Sequence, residues 1–394
     1  LSSTDAKYLD AVGSDLSGFG DRSALWRTPG WSRLQRVLAR VVAFLSTKST
    51  LLVRVVQDGA WVRASFGVLG MLPAIVGLGV GVAAAASVHA MALPPGFGYV
   101  VAMVALSFVD ALAGAIGWVA FVIVVALNGG VASLFDVRTL LGLGVLFAGM
   151  PLVAGAIRPV VRAAKSDGIG LQRIGDYLMM PIFLGYAAAA TYAALNGLSG
   201  LVVVASSDTQ GLRNFGFAFA VGRLVVEDVS LRLFPARRRE VELPVENGPG
   251  RAVSYTNVGV LWLVYLLTAG PYMGLGWRTW VVVTLMSIVP LVKIHKDSLP
   301  NSTTVHRWFP RGILRASIML FVGAWYSRWV LDVAGHPSDA RTIVPYLMLP
   351  AIAIGLIDGF GRKGGSWRDS SMKQLAGFAL WIVSLSVLVG WITP

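Results

Sequence analysis

The sequence predicts an all-α fold, a polytopic integral membrane bundle of about ten transmembrane helices. Of its 394 residues, 56% are hydrophobic and only 13% are charged. The mean hydropathy is +0.70, so the chain carries more apolar side chains than one soluble core of this length would bury. Those side chains stand in long uninterrupted runs, a pattern that favours helices crossing a bilayer. The predicted fold therefore places lipid around most of the polypeptide.

The predicted spans come from windows without Asp, Glu, Lys, Arg or His, and most approach the roughly 20 residues that carry a helix across a hydrocarbon core of about 30 Å. The windows are Ala64–Val88, Ala90–Val109, Ala111–Phe135, Thr139–Ala156, Tyr177–Ser207, Ala252–Trp277, Thr342–Ile357 and Gln374–Pro394. Shorter candidates are Asn214–Leu231, Thr279–Val292 and Gly312–Val330. Nine to eleven spans are compatible with this pattern, and the bundle is predicted to occupy residues 64–394.

Residues 1–63 are predicted to form a separate, polar and partly amphipathic region. The stretch WSRLQRVLARVVAFLS (Trp31–Ser46) puts arginines on one side of a helix and leucines on another. Such a helix either lies on the bilayer surface or docks on neighbouring protein, and the sequence leaves both alternatives open. Because no basic and apolar signal segment opens the chain, we expect Leu1 to be a truncated or processed start.

Basic residues in the gaps between the later spans alternate between many and few. Four gaps hold four or five lysines and arginines each: Arg158–Asp176, Arg232–Arg251, Lys293–Arg315 and Gly361–Lys373. The positive-inside bias assigns these gaps to the cytoplasm, so the C-terminus is predicted to be extracytoplasmic. The net charge of +13 lies in such gaps, which argues against nucleic acid as a partner. We expect the lipid bilayer of a bacterial plasma membrane and proteins of the membrane or envelope instead.

The apolar stretch Phe97–Leu127 has two interpretations. As a single helix it would be about 45 Å long, which a tilted span accommodates; alternatively it folds back at DALAG (Asp110–Gly114) and adds a crossing. We expect the single helix, which puts residues 1–63 outside the cell. Small residues before this stretch, with Gly77 and Gly81 at GxxxG spacing, predict close helix–helix packing rather than a substrate path.

The run RLVVEDVSLRLFPARRR (Arg223–Arg239) places charges inside an otherwise apolar helix. If this helix begins at Asn214 on the outer face, Arg223 lies about 14 Å deep. Glu227 is its i,i+4 neighbour, and Asp228 has the same spacing to Arg232. The pairs indicate either a polar seam in the bundle or, from Glu227 onward, emergence into cytosolic headgroup water with the arginines as a topology anchor.

Two further acids stand in or beside predicted spans. Asp110 lies at the centre of its apolar stretch, and Asp358 lies near the cytoplasmic end of its span. An acid inside a span indicates function and needs a proton or a partner, and depth makes Arg223 the expected partner of Asp110. The candidate intramembrane polar site is therefore Asp110, Arg223, Glu227, Asp228 and Asp358.

No signature of catalysis is intact. The chain has no cysteine, which excludes thiolate chemistry and cysteine-ligated metal, and its four histidines show no i,i+4 pairing. GFGRKG (Gly359–Gly364) has the spacing of a dinucleotide loop but follows a predicted span rather than a strand. SSMK (Ser370–Lys373) lacks the companion motifs of its class. The sequence predicts no catalytic residue, no cofactor and no metal ligand.

The stretches VVEDVSLRLFPARR (Val225–Arg238) and KDSLPNSTTVHRWFPRG (Lys296–Gly312) resemble the polytopic membrane region of large actinobacterial cell-surface proteins. The resemblance implies an extracellular region before Leu1. With it, the sequence favours a non-enzymatic membrane anchor or assembly platform of a cell-envelope complex. The alternative is a secondary transporter or channel that uses the intramembrane charges. A lipid or sugar transferase is a third possibility, but the paired acids it needs are absent.

Overall fold

A computed structural model describes residues 31–151, 169–199, 205–233, 250–274, 276–295 and 313–335, with isolated helical residues between 346 and 386. Every regular element in this part of the chain is helical, which confirms the all-α prediction. The described residues form two compact units. Unit 1 takes those of Leu1–Val161 and Asp176–Gly250, and unit 2 those of Arg162–Gly175 and Arg251–Pro394.

Unit 1 contains most of the described helices. They are α1 (Trp31–Ser46), α2 (Thr50–Asp58), α3 (Ala60–Phe66), a 3₁₀ segment (Gly67–Met71), α4 (Leu72–Ser87), α5 (Phe97–Val109), α6 (Ala111–Leu127), α7 (Leu134–Gly144), a π-helical segment (Val145–Gly149), α8 (Ile169–Ser199, in this unit from Asp176 on) and α9 (Ser206–Leu233).

One helical run in the described chain, Thr50–Ser87, is long and apolar enough to cross a membrane. It includes α2, α3, the 3₁₀ segment and α4, with breaks at Gly59 and Gly67. Three shorter apolar helices accompany it: Phe97–Val109, Ala111–Leu127 and Trp277–Val292. The predicted boundary between residues 63 and 64 falls within the run, where Arg63 is already buried.

The expected single helix over Phe97–Leu127 is wrong, because the chain breaks at Asp110. This residue has an extended backbone (φ −151°, ψ 118°), ends α5 and caps the start of α6. Aspartate is favoured at this position because its carboxylate accepts hydrogen bonds from the free N–H groups at a helix start. Facing pairs Ser107 with Gly114 and Met103 with Gly117 show that α5 and α6 run antiparallel. The segment is a helical hairpin with Asp110 at its tip.

Glycines let the hairpin pack closely on α4. A Cβ at Gly77 would overlap the backbone of Ala113, and one at Gly81 would overlap that of Gly117. The backbones therefore approach at the predicted GxxxG spacing, which confirms the packing role expected of these residues. At the open end of the hairpin, a Cβ at Gly130 would overlap the carbonyl of Ala90. The loop before α5 and the loop after α6 are therefore in contact.

Three helices surround the hairpin. α7 runs beside α6, where the indole N–H of Trp118 donates to the carbonyl of Leu140 at 2.8 Å. α9 follows α5 in the same direction, with Gly211 beside Phe97 and Phe219 beside Phe108. α8 runs antiparallel to α9, with Gly185 beside Phe217 and Tyr177 beside Leu224. The tip of the hairpin therefore lies against the middle of α9.

Unit 2 contains α10 (Arg251–Met273), α11 (Trp277–Ile294) and α12 (Ile313–Val333). α10 and α11 form an antiparallel pair joined at Gly274, whose φ of +70° suits glycine. Tyr255 on α10 contacts His295 at 2.5 Å between Oη and Nε2, and the rings of Trp262 and Trp280 lie 5.5 Å apart.

Candidate functional site

Five charged side chains meet at the hairpin tip of unit 1. We call this set the tip cluster: Asp58, Arg63, Asp110, Arg223 and Glu227. Four of them are buried, with Asp110 0% exposed and Arg63 3% exposed, and Asp58 is half-buried with a side chain that is only 6% exposed. Buried charges carry a large desolvation cost, so the contacts around them decide whether the arrangement is tolerated.

Arg63 and Asp110 form the first ion pair of the tip cluster. Nη1 of Arg63 lies 3.4 Å from Oδ2 of Asp110, and Nη2 donates to the carbonyl of Val56 at 2.6 Å. Oδ1 of Asp110 accepts from the backbone N–H of Leu112 at 2.9 Å. A Cβ at Gly59 would overlap the Asp110 carboxylate, so glycine at the break between α2 and α3 lets the two elements meet.

Asp58 joins the hairpin tip to α9. Its Oδ2 accepts from the backbone N–H of Ala111 at 3.0 Å, and its Oδ1 accepts from Nη2 of Arg223 at 2.6 Å. Nη1 of Arg223 donates to the carbonyl of Phe108 at 2.9 Å. Nε of Arg223 lies 3.8 Å from Oε2 of Glu227, one turn further along α9. A single arginine therefore links α9 to both sides of the hairpin tip.

The tip cluster satisfies backbone groups that helix breaks leave without intrahelical partners. Ala111 and Leu112 are the first residues of α6, while Phe108 and Val56 lie in the last turns of α5 and α2. Terminal N–H and C=O groups of a helix need outside partners, and in lipid no water supplies them. The described charged side chains take that role, so the break is stable inside the protein.

Hydroxyl groups extend this contact between α3 and α9. Ser65 Oγ and Ser230 Oγ lie 2.8 Å apart, and both hydroxyls donate to the carbonyl of Trp61, at 2.9 and 3.2 Å. Ser230 lies about two turns beyond Arg223 on α9. The polar contacts thus continue from the hairpin tip towards the C-terminal end of α9.

The structure brings three of the five predicted site residues together. Asp110, Arg223 and Glu227 belong to the tip cluster, but the described ion-pair partner of Asp110 is Arg63 rather than the expected Arg223. Asp228 is half-buried on α9, turned about 100° from Glu227 around the helix. Asp358 and the side chain of Arg232 lie outside the described residues.

Sequence reasoning missed Asp58 and Arg63 because both fall in the region predicted to be polar and separate. A signal was present: Asp58 directly precedes Gly59, and Arg63 directly precedes the first apolar window. An acid and a base at the edge of a span are candidates for pairing with charges inside another span.

Comparison of the chain with protein-family models, with curated proteins and with solved structures finds no match. The function is therefore inferred from the geometry of the tip cluster. Within the described ranges, no group of three His, Asp or Glu side chains is arranged to hold a metal ion. The described contacts of the tip cluster have a mechanical effect, because they join α2, α3, α5, α6 and α9 at one point.

Proposed function

We propose that this chain is a non-enzymatic integral membrane anchor or assembly platform of a bacterial cell-envelope complex. The observation that supports the proposal is the set of partners that the buried charged side chains bind. The hydrogen bonds of Asp58, Arg63, Asp110 and Arg223 described above go to one another and to backbone groups at helix ends. Such contacts fix helix positions, and a platform needs a rigid surface for its partners.

The proposal includes a membrane layout of nine crossings and one re-entrant hairpin. α5 and α6 are about 20 and 25 Å long, shorter than a hydrocarbon core of about 30 Å, and the hairpin's open ends meet where Gly130 approaches Ala90. Both ends then lie at one membrane face. Thr50–Ser87 makes one crossing and the eight later predicted spans make the rest.

An odd number of crossings puts the two ends of the chain on opposite sides. With the C-terminus extracytoplasmic, the chain before Thr50 lies on the cytoplasmic side, opposite to the placement of residues 1–63 that rested on the single helix. This side also suits the basic residue Lys48. The resemblance of Val225–Arg238 and Lys296–Gly312 to actinobacterial cell-surface proteins supports a role in the envelope, but the extracellular region before Leu1 that it implies does not agree with this cytoplasmic placement.

A test of the platform uses paired charge variants at the hairpin tip. Asp110→Asn leaves Arg63 without its described acid, whereas the double variant Arg63→Gln with Asp110→Asn removes both charges. The complexes are extracted with membrane-preserving polymers and separated by native electrophoresis. If the protein is a platform, the single variant gives smaller complexes than the wild type, and the double variant restores their size. Complexes that retain full size in the single variant contradict the proposal.

A secondary transporter or channel is the second candidate, because the helix break coincides with buried carboxyl groups. Asp58 and Asp110 flank the start of α6, and Arg223 lies about 18 Å along α9 from Gly211. Broken helices with charged residues near mid-membrane are a feature of transporters.

The same variants separate the two candidates in proteoliposomes. The platform predicts no charge movement on a solid-supported membrane after pH or salt steps, whichever variant is reconstituted. A transporter predicts a wild-type current that disappears in the double variant although its complex keeps full size. That second result would replace the platform with the transporter.

A further inference from the structure

One half of α1 is exposed and carries two adjacent stripes. Val37, Val41 and Phe44 form an apolar stripe at i, i+4 and i+7, with Val37 55% and Phe44 63% exposed. Beside it lies a basic stripe of three exposed arginines: Arg33, Arg36 and Arg40. On a helix of 3.6 residues per turn, the two stripes together cover about half the circumference.

The other half of α1 is packed against its own chain. Val42 is buried with Val53 and Val56 of α2, and Leu38 and Leu45 pack on the same cluster. Leu112 at the start of α6 completes it. The exposed stripes are therefore not part of the core of unit 1, and α1 is held with them facing away from it.

The position of α1 indicates which surface it meets. Its packing on Leu112 puts it near the tip of the hairpin, away from the open end at Ala90 and Gly130. The C-terminal end of α9 extends beyond the tip as well, and the sequence that follows α9 includes the basic residues Arg237–Arg239. Basic residues at one end of a membrane protein mark the face that meets anionic lipid.

We propose that the exposed half of α1 is a binding surface for anionic phospholipid headgroups. The apolar stripe enters the boundary between headgroups and acyl chains, and the three guanidinium groups contact lipid phosphates. An apolar stripe beside a basic one is what an interfacial helix requires, and guanidinium matches phosphate in charge and hydrogen-bond geometry. Exposed Leu51 and Leu52 on α2 add apolar surface. The inference goes beyond the proposed function and holds for either candidate.

The absence of cysteine from the chain permits a direct test. Val41→Cys in the full chain is labelled with an environment-sensitive fluorophore and reconstituted into nanodiscs containing phosphatidylcholine and phosphatidylglycerol. Spin-labelled phosphatidylglycerol is expected to quench the probe more strongly than spin-labelled phosphatidylcholine at the same mole fraction. Ala132→Cys, in the exposed loop before α7, serves as the reference for a probe in water.

Replacing the arginines tests the headgroup contact. Arg40→Gln should lower the preference for the anionic lipid about fivefold, the contribution of one basic residue near an anionic surface, and the three-arginine variant should abolish it. Arg278→Gln, an exposed arginine on α11, is the matched control and should leave the preference unchanged. These substitutions are on exposed helix surface, so folding is preserved.

Two results overturn the inference. Fluorescence at residue 41 that matches the water reference and resists both quenchers means that α1 faces water or another protein. Equal quenching by the two lipids, unchanged by the arginine variants, means that the face touches lipid without recognising anionic headgroups.

Discussion

At the scale of single residues, the tip cluster explains why charges persist in the interior of an apolar protein. Replacing a buried ion pair with apolar side chains is often neutral or stabilising, whereas removing one partner is costly. The charges of Arg63 and Asp110 therefore determine which helix arrangement forms more than they increase the free energy of unfolding. The arrangement they specify is a helix break, since their described bonds reach backbone groups at helix ends.

Arg223→Gln should destabilise unit 1 by about 3–5 kcal/mol, because it leaves Asp58 and the carbonyl of Phe108 without their described donor. Unfolding in mixed micelles measures the loss. Arg213→Gln on the same helix is the control: its guanidinium stacks over the Tyr186 ring, and it should cost about 1 kcal/mol or less. Equal losses for the two variants contradict the role given to Arg223.

Gly59→Ala should destabilise the protein by about 1–3 kcal/mol, the usual cost of overpacking. The added Cβ overlaps the buried Asp110 carboxylate, which is held by Arg63 and Leu112. Gly79→Ala is the matched variant, since a Cβ there meets nothing within 4 Å; it should stabilise α4 by roughly 1 kcal/mol. The same unfolding measurement compares the two variants. If Gly59→Ala leaves the free energy of unfolding unchanged, the close approach of Gly59 to Asp110 does not constrain the fold.

At the scale of elements, aspartates cap the starts of two helices in unit 1, α6 and α7. Asp110 caps α6 inside the protein, and Ser133 with Asp136 caps α7 where the apolar window Ala111–Phe135 ends. Oδ2 of Asp136 accepts from the N–H groups of Ala132 and Ser133 at 2.9 and 2.7 Å. The two caps place the starts of α6 and α7, so they decide where the hairpin turns and where the next helix begins.

The cap of α7 should weaken in acid. Desolvation acts to raise the pKa of Asp136, but hydrogen bonds from the Ser133 hydroxyl and two backbone N–H groups outweigh it and hold the pKa below its ordinary value. A carboxylate with a lowered pKa stabilises the fold above its ordinary pKa and loses that contribution as pH falls through the lowered value. Asp136→Ala should therefore cost about 1 kcal/mol at neutral pH and little in strong acid.

Hydrogen exchange of the amides of residues 134–137 checks this prediction. Faster exchange in the Asp136→Ala variant is expected at neutral pH, with the difference from wild type shrinking in acid. The amides of α9 in the same samples provide the internal control, because the described hydrogen bonds of Asp136 are with Ala132 and Ser133. A difference that persists unchanged in acid contradicts the assignment to the carboxylate.

At the scale of the whole molecule, the proposed re-entrant hairpin gives a membrane layout that differs from the one expected from the sequence. In this proposal, two helices that enter and leave at one face contribute no net crossing. The N-terminal region then lies on the side of the membrane opposite to the C-terminus, whereas ten crossings would put both on the same side. The all-α class is unaffected, because helices satisfy their own backbone groups in either arrangement.

Cysteine labelling of intact cells tests the layout. Thr47→Cys, in the exposed turn after α1, should react with a membrane-impermeant maleimide only after the cells are opened. Ala132→Cys should react without opening. Both positions are exposed, so a difference reports sidedness rather than burial. Labelling of Thr47→Cys in intact cells contradicts the re-entrant hairpin.

Composition and periodicity were sufficient for the helical class, for the packing of Gly77 and Gly81, and for selecting Asp110, Arg223 and Glu227 as unusual charges. These features are local: apolar runs, a four-residue spacing and single charges can be read along the chain. The partner of Asp110 could not be read in this way, because Arg63 lies 47 positions away and depth alone favoured Arg223.

Only the tertiary structure decided that Phe97–Leu127 is a hairpin and that Asp58 and Arg63 close its tip. A continuous helix and a broken one have the same apolar composition, and their difference in free energy depends on whether other segments supply donors and acceptors to the broken ends. Those donors and acceptors come from α2, α3 and α9, which are distant in sequence. The all-α class follows from the chain itself, whereas the break at Asp110 depends on these distant neighbours.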